Sequence, residues 1–218
     1  KDAESRRNQL MRDMAQLRLQ AEVSELEGSL RAGEPVFPPY VLVDDAALCQ
    51  HLARVRELVA TARCILVIPL AVVDSLDMHK KDSPKAREAI RWLETQLRKG
   101  NRYIRAQKPK ETKTNGQHSV LKKRNRDTWY ILELLGCARY LAQQTGTFTG
   151  GNQSHTGGNS AQNNVVAVVT GHQWLMAPPL HPALQQVKAA AEQEGVTIDT
   201  VQDFGRKWKS ILQQQGNG

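Results

Sequence analysis

Three short, almost wholly apolar runs, YVLV at 40–43, CILVIP at 64–69 and VVAVVT at 165–170, constrain this chain more than any other feature. Runs of this kind, apolar at successive rather than alternate positions, read as strands buried on both faces, the habit of a parallel sheet. The first run stops at two adjacent carboxylates, Asp44 and Asp45, and passes into a helical pattern. In open α/β sheets the ligand sits just beyond the carboxyl ends of the strands. An acid there is placed to hold a cation or a substrate.

Between and after these runs the chain alternates. A helix is expected from Ala46 to about Thr61, with Leu48, Leu52, Val55, Leu58 and Val59 inward, and a short one after Pro69 with Asp74 and Asp77 nearby. Ser83 followed by Pro84 is an N-cap with proline at the first helical position. That helix runs to about Lys99 and stops at Gly100, where glycine permits the left-handed cap. RYIRAQ at 102–107 reads as a half-exposed or edge strand, and 108–119 as a polar loop. Trp129, Leu132, Leu135, Ala138 and Leu141 mark a helix over 125–143, with Asp127 in its first turn. A helix over 181–194, a strand at 196–198 and a closing helix with Val201, Phe204, Trp208 and Ile211 on one face complete the pattern. Alternation of this kind predicts an α/β fold of three layers, a central, mostly parallel sheet flanked by helices.

Residues 1–34 form an N-terminal extension, expected as a long amphipathic helix from the spacing of Leu10, Met14, Leu17 and Ala21. The domain proper is 35–218. Within it, 143–164 is Gly, Asn, Gln, Ser and Thr with little to bury, the composition of a flexible insertion. No run is long enough to span a membrane as a helix, and the chain reads as a soluble protein or a piece of one, starting at Lys1 without an initiator Met. Cys49, Cys64 and Cys137 are far apart and flanked by apolar residues, which predicts buried free thiols of a cytosolic protein. The net charge of +8 is uneven: residues 80–126 hold sixteen Lys and Arg against four acids, a local +12 that leaves −4 elsewhere. A face so basic suits nucleic acid or an acidic partner.

YVLVDD, CILVIPLAVVDSLD, Asp127 and VVAVVTG, in that order, resemble a PIN domain, the nuclease-like α/β fold. KKDSPKAREAIRWLE, KGNRYIRAQK and RNQLMRDMAQLRLQAEVSELEGSL resemble the C-terminal part of Smg-family factors of nonsense-mediated mRNA decay. The resemblance covers almost the whole chain except 143–164. Active members line their cleft with four acids. Two of these positions fall on Asp45 and Asp127 here, and the other two on Ser75, with Asp77 matching a neighbouring position, and on Gly171. Asp74 is one residue from Ser75, but a step of one turns a helical side chain by about 100°. His172, beyond the strongest strand, is a poor ligand for Mg²⁺.

Efficient cleavage needs carboxylates that hold two hard ions about 3.5–4 Å apart. Asp45 and Asp127 alone are a degenerate remnant, at most the ligands of one weakly held ion. The resemblance therefore implies a non-catalytic adaptor that needs no cofactor. Its expected partners are the seventh Smg protein, the phosphorylated RNA helicase of the pathway and a phosphatase, in the cytoplasm with passage through the nucleus. The competing reading is a Mg²⁺- or Mn²⁺-dependent single-strand RNA endonuclease. A third is passive, salt-sensitive RNA binding through Lys122, Lys123, Arg124 and Arg126, with Arg102 and Arg105 flanking the third strand. Asp45 is expected to be solvated or to cap the next helix, and Asp44 to face solvent or act as a cap. Trp92 and Trp208 are expected in the core.

Overall fold

In the computed structural model the three apolar runs become adjacent parallel strands, and the described residues are 37–112, 125–149, 165–177 and 179–215. Strands β1 (Tyr40–Val43), β2 (Ile65–Ile68), β3 (Ile104–Ala106), β4 (Val166–Thr170) and β5 (Val196–Thr200) form one sheet in the order β3-β2-β1-β4-β5. Every pairing is parallel, with Leu42 opposite both Val67 and Val168. All five residues of β4 are buried. Successive strand residues point to opposite faces, so helices must cover both.

The intervening helices are α1 (Asp45–Gln50), α2 (Leu52–Ala60), α3 (Leu70–His79), α4 (Pro84–Arg98), α5 (Arg126–Thr149), α6 (Pro182–Gln193) and α7 (Val201–Gln215). Local chemistry starts and stops them. The Ser83 hydroxyl accepts from the Ala86 N–H at 3.2 Å with Pro84 at the first helical position, and Gly100 terminates α4 at φ +65°. Asn125 caps α5 by accepting from the Thr128 N–H at 3.1 Å. Thr200 and Asp203 cap α7 reciprocally: the Asp203 N–H donates to the Thr200 hydroxyl at 3.1 Å, which donates back to the carboxylate at 2.7 Å. Helix α5 lies against β1, β4 and β5, burying Ile131, Leu132, Leu134, Leu135 and Ala138 completely.

Three details differ from the sequence expectation. The helix expected over 46–61 breaks at His51, whose backbone (φ −131°, ψ 30°) leaves the helical region and separates α1 from α2. Helix α5 continues to Thr149, beyond the expected end at 143. A 3-10 turn, Gln173–Met176, follows β4 with Leu175 fully buried as its anchor. The chain divides into two compact units after Val36, and all described residues belong to the second. The expected N-terminal helix, most of the loop expected at 108–119 and residues 150–164 of the expected insertion lie outside the described residues. Among the described helices none is long and apolar enough to cross a membrane. Cys64 and Cys137 are buried free thiols, their pKa values pushed up to about 12 by burial, while Cys49 is only half-buried.

Successive strands run outward from β1 through β2 to β3, and the chain then returns to place β4 on the other side of β1. This reversal opens a crevice at the carboxyl ends of β1 and β4. Asp44, Asp45, Gly171 and His172 all stand there.

Candidate functional site

The crevice is built by four chain segments: the β1–α1 junction, helix α3, the first turns of α5 and the turn after β4. Asp44 caps α1, as one of its two expected roles had it, but it does not face solvent: it is fully buried. Its Oδ1 accepts from the Ala47 N–H at 2.7 Å and the Gly171 N–H at 3.0 Å, and Oδ2 accepts from the Thr170 hydroxyl. The cost of burial raises its pKa against the pull of these donors. One carboxyl thus ties the ends of β1 and β4 together.

Asp45 points the other way, into the crevice, and is 14% exposed. The N-cap position of α1 is held by Asp44 rather than by Asp45, and Asp45 does not stand free in water. Its Oδ2 accepts from the Ser75 hydroxyl of α3 at 2.5 Å, and its Oδ1 meets His172 Nε2 at 2.9 Å and the Ala46 N–H at 2.8 Å. Its own N–H donates to the Tyr130 hydroxyl of α5 at 2.8 Å. Burial works against the carboxylate, but the His172 and Ser75 hydrogen bonds and the imidazolium charge outweigh it and bring the pKa down to about 2. The same bond from Asp45 raises the pKa of His172 against partial burial, helped by the charges of Asp44, Asp45 and Asp127. The imidazole is steadied from three sides. Its backbone N–H donates to the Thr170 hydroxyl at 2.9 Å, and its ring stands edge-on to Tyr130 at 6.2 Å and tilted against Trp174 at 5.7 Å. On α3, the His79 Nδ1–H donates to the Ser75 carbonyl at 2.8 Å.

Asp127 is exposed in the first turn of α5, close enough for its charge to act on His172. Asp77 points outward and pairs with Lys80 at 2.5 Å. Gly171 lies closer to α1 than a side chain allows. A Cβ there would stand 2.5 Å from the carbonyl carbon and 2.9 Å from the Cβ of Ala46, and 2.6 Å from the Ala47 nitrogen. No carboxylate can be placed at this position with the backbone as it is.

Oxygens and nitrogens of Asp44, Asp45 and His172 lie within 4.8 Å of one another, the spacing of a metal cage. Their chemistry does not fit a pair of hard ions, which need several carboxylate or water oxygens each. The Asp44 oxygens are used by buried donors, and the His172 Nε2 sits on the Asp45 Oδ1 where a cation would have to bind.

A PIN domain family model matches residues 40–168. This chain belongs to the PIN domain family. Among curated relatives it is 40% identical to the nonsense-mediated mRNA decay factor SMG5 of Mus musculus over 96% of this chain and 20% of that one. The Danio rerio protein of the same name is 39% identical over 96% of this chain and 18% of its own. The PIN domain chain therefore spans about a fifth of the length of these relatives. A solved structure of the human SMG5 PIN domain aligns with 78% of this chain and 99% of its own, at 28% identity and a TM-score of 0.40.

In this PIN domain the sequence-singled residues separate into two groups. Asp45, Ser75, Gly171 and the nearby Asp127 converge on the crevice. The described basic residues, Arg102, Arg105 and Arg126, do not form one array there. Arg105 is committed to Glu111 by two bonds of 2.7 and 3.0 Å, and Glu111 is 7% exposed, so this pair is part of the structure of the β3 edge. Arg102 lies over the Tyr103 ring at 4.9 Å and donates to its hydroxyl. Arg126 is exposed, and Lys122, Lys123 and Arg124 lie outside the described residues. Trp208 is buried as expected, Trp92 is half-buried, and Trp174 is 40% exposed at the crevice rim. Sequence reasoning missed His172 as the partner of Asp45, and Thr170 and Tyr130 with it. Thr170 at the end of the most buried strand, with Gly171 and His172 directly after it, placed these residues at the rim, but nothing local pairs His172 with Asp45.

Proposed function

We propose that this PIN domain is a non-catalytic interaction module of a nonsense-mediated mRNA decay factor. The observation that carries this reading is the ion pair between His172 and Asp45 with the Ser75 bond beside it. An acid meant to hold a metal is left open to it. This one is hydrogen-bonded from within its own fold by His172 and Ser75, and the backbone of Ala46 and Ala47 fills the space where another would start at position 171. The similarity to SMG5 supports placing the domain in the decay pathway. As an adaptor it works with the seventh Smg protein, the phosphorylated helicase and a phosphatase, in the cytoplasm with passage through the nucleus, and any contact with RNA is weak and salt-sensitive.

The test is incubation of the 218-residue chain with end-labelled single-stranded RNA in Mn²⁺ and in Mg²⁺. The expected result is intact RNA, and no Mn²⁺-induced broadening of amide signals around Asp45. Cleavage that disappears in Asp45→Ala would overturn the proposal in favour of a metal-dependent endonuclease.

A further inference from the structure

The turn that joins α3 to α4 is a run of open chain. Residues Asp77 to Lys85 are all exposed except Ser83, which is half-buried. Ser83 is followed directly by Pro84, and no other serine or threonine among the 218 residues precedes a proline. A hydroxyl residue before proline is what a proline-directed protein kinase selects: proline has no N–H, and the kinase cleft offers no acceptor for one at that position. Ser83 already holds the extended backbone such a cleft takes, with φ −116° and ψ 113°. The turn of α4 behind it is lightly held. The Ala86 N–H reaches Ser83 Oγ and the Arg87 N–H reaches the Ser83 carbonyl, each at 3.2 Å, and opening these two bonds frees Ser83, Pro84 and Lys85 from the helix.

The charges around Ser83 define what a phosphate there would meet. Lys80 pairs with Asp77, and Glu88 with Arg56. Three cations remain, Lys81, Lys85 and Arg87, against one acid, Asp82, and all four are exposed. Arg87 is already drawn to the turn: its Nη1 donates to the carbonyls of Lys80 and Lys81 at 2.7 and 3.1 Å. Carbonyls orient the guanidinium beside the chain that leads into Ser83 but do not neutralise it. A dianion on Ser83 would also stand at the N-terminal end of a fifteen-residue helix, where the backbone dipole favours negative charge.

We propose that Ser83 is a phosphorylation site for a proline-directed protein kinase, and that the phosphate is held by Lys81, Lys85 and Arg87 at the start of α4. The phosphoryl donor is ATP. The bond between its γ-phosphorus and the bridging oxygen breaks, a bond from phosphorus to Ser83 Oγ forms, the hydroxyl proton passes to the base of the kinase, and ADP leaves. The product ties the α3–α4 turn to the first turn of α4 through the three cations. The site involves none of the crevice residues, so its failure would leave the reading of the crevice as it stands.

The experiment incubates the folded 218-residue chain with Mg-ATP and a purified cyclin-dependent kinase with its cyclin, beside a free peptide of residues 77–88 that reports whether the kinase is active. The expected result is one phosphate per chain by intact mass, placed on Ser83 by tandem mass spectrometry. Pro84→Ala keeps the Ser83 cap but removes the kinase determinant, and should slow incorporation at least tenfold. The phosphorylated chain should melt about 2 °C above the unmodified one. Lys81→Ala with Lys85→Ala should remove at least half of that rise and leave the unmodified chain within about 1 °C of its original Tm. A folded chain that takes no phosphate on Ser83 while the peptide does would overturn the proposal. So would undiminished incorporation in Pro84→Ala, or a Tm that stays fixed or falls on modification.

Discussion

Replacing Gly171 with alanine tests the packing that closes the crevice. The added Cβ would begin 2.5 Å from the Ala46 carbonyl carbon and 2.6 Å from the Ala47 nitrogen, so the end of β4 and the start of α1 must part by about 1 Å to reach ordinary contact. Neither neighbour is a flexible side-chain end; both are backbone. Overpacking of this kind costs about 1–3 kcal/mol. The separation also stretches the bond from the Gly171 N–H to Asp44, now 3.0 Å, and the Thr170 bond beside it. Weakening hydrogen bonds to a buried carboxyl adds about 1.5–3 kcal/mol, for a total near 4 kcal/mol. In a domain of this size each kcal/mol moves Tm by about 2–4 °C, so a fall of roughly 10 °C is expected. Urea denaturation followed by far-UV circular dichroism should show a lower midpoint at unchanged slope. Gly205→Ala is the control: open space surrounds that position, and better helix propensity should stabilise by about 0.8 kcal/mol. If Gly171→Ala costs less than about 1 kcal/mol, the steric account of the closed crevice is wrong.

The Asp45–His172 pair makes stability depend on pH with a definite sign. The folded pKa of Asp45, about 2, lies below its ordinary 3.8, so its contribution is present above pH 3.8 and is lost as pH falls toward 2. The shift corresponds to about 2 kcal/mol at neutral pH. His172 has a raised folded pKa, so its contribution is complete below 6.5 and is lost as pH rises through the folded value. Both limbs describe one interaction, and His172→Ala should flatten both in urea midpoints measured from pH 2 to 9. Arg105→Ala strands the buried Glu111 and should cost about 3 kcal/mol in the same assay, whereas exposed Arg102→Ala should cost less than about 1 kcal/mol. If RNA binds at the basic stretch, affinity should fall steeply between 50 and 200 mM salt, and Glu at positions 122, 123 and 124 should abolish it in filter binding. Undiminished affinity in that variant would move RNA to another surface.

The strands and most helix ends were legible because their causes are local. Uninterrupted apolar runs gave β1, β2 and β4, and Ser83, Pro84 and Gly100 bound α4 as their side chains and backbone freedom demand. The crevice was legible only in part. That Asp45 stands at its centre follows from its place at the end of a strand. That it is neutralised does not, because its partner His172 is 127 residues away and becomes a neighbour only when β4 inserts beside β1. The burial of Asp44 has the same origin, since Thr170 and Gly171 supply the donors that let a carboxyl leave water. Arg105 looked like one more free cation of a basic stretch until the turn after β3 brought Glu111 onto it. The break at His51 and the 3-10 turn after β4 carry no strong sequence signal of their own.

The contact between Gly171 and Ala46 fixes an order of events for anyone wishing to build a hydrolase on this scaffold. An aspartate introduced at the tip of β4 has nowhere to go until the first turn of α1 withdraws, and that turn is held by the very carboxyl that grips the β4 tip. Gly171→Asp made alone should therefore yield a weaker protein in which the new carboxylate is not held at the crevice. Redesign has to begin with the main chain, by lengthening the β1–α1 junction, and only afterwards with the ligands.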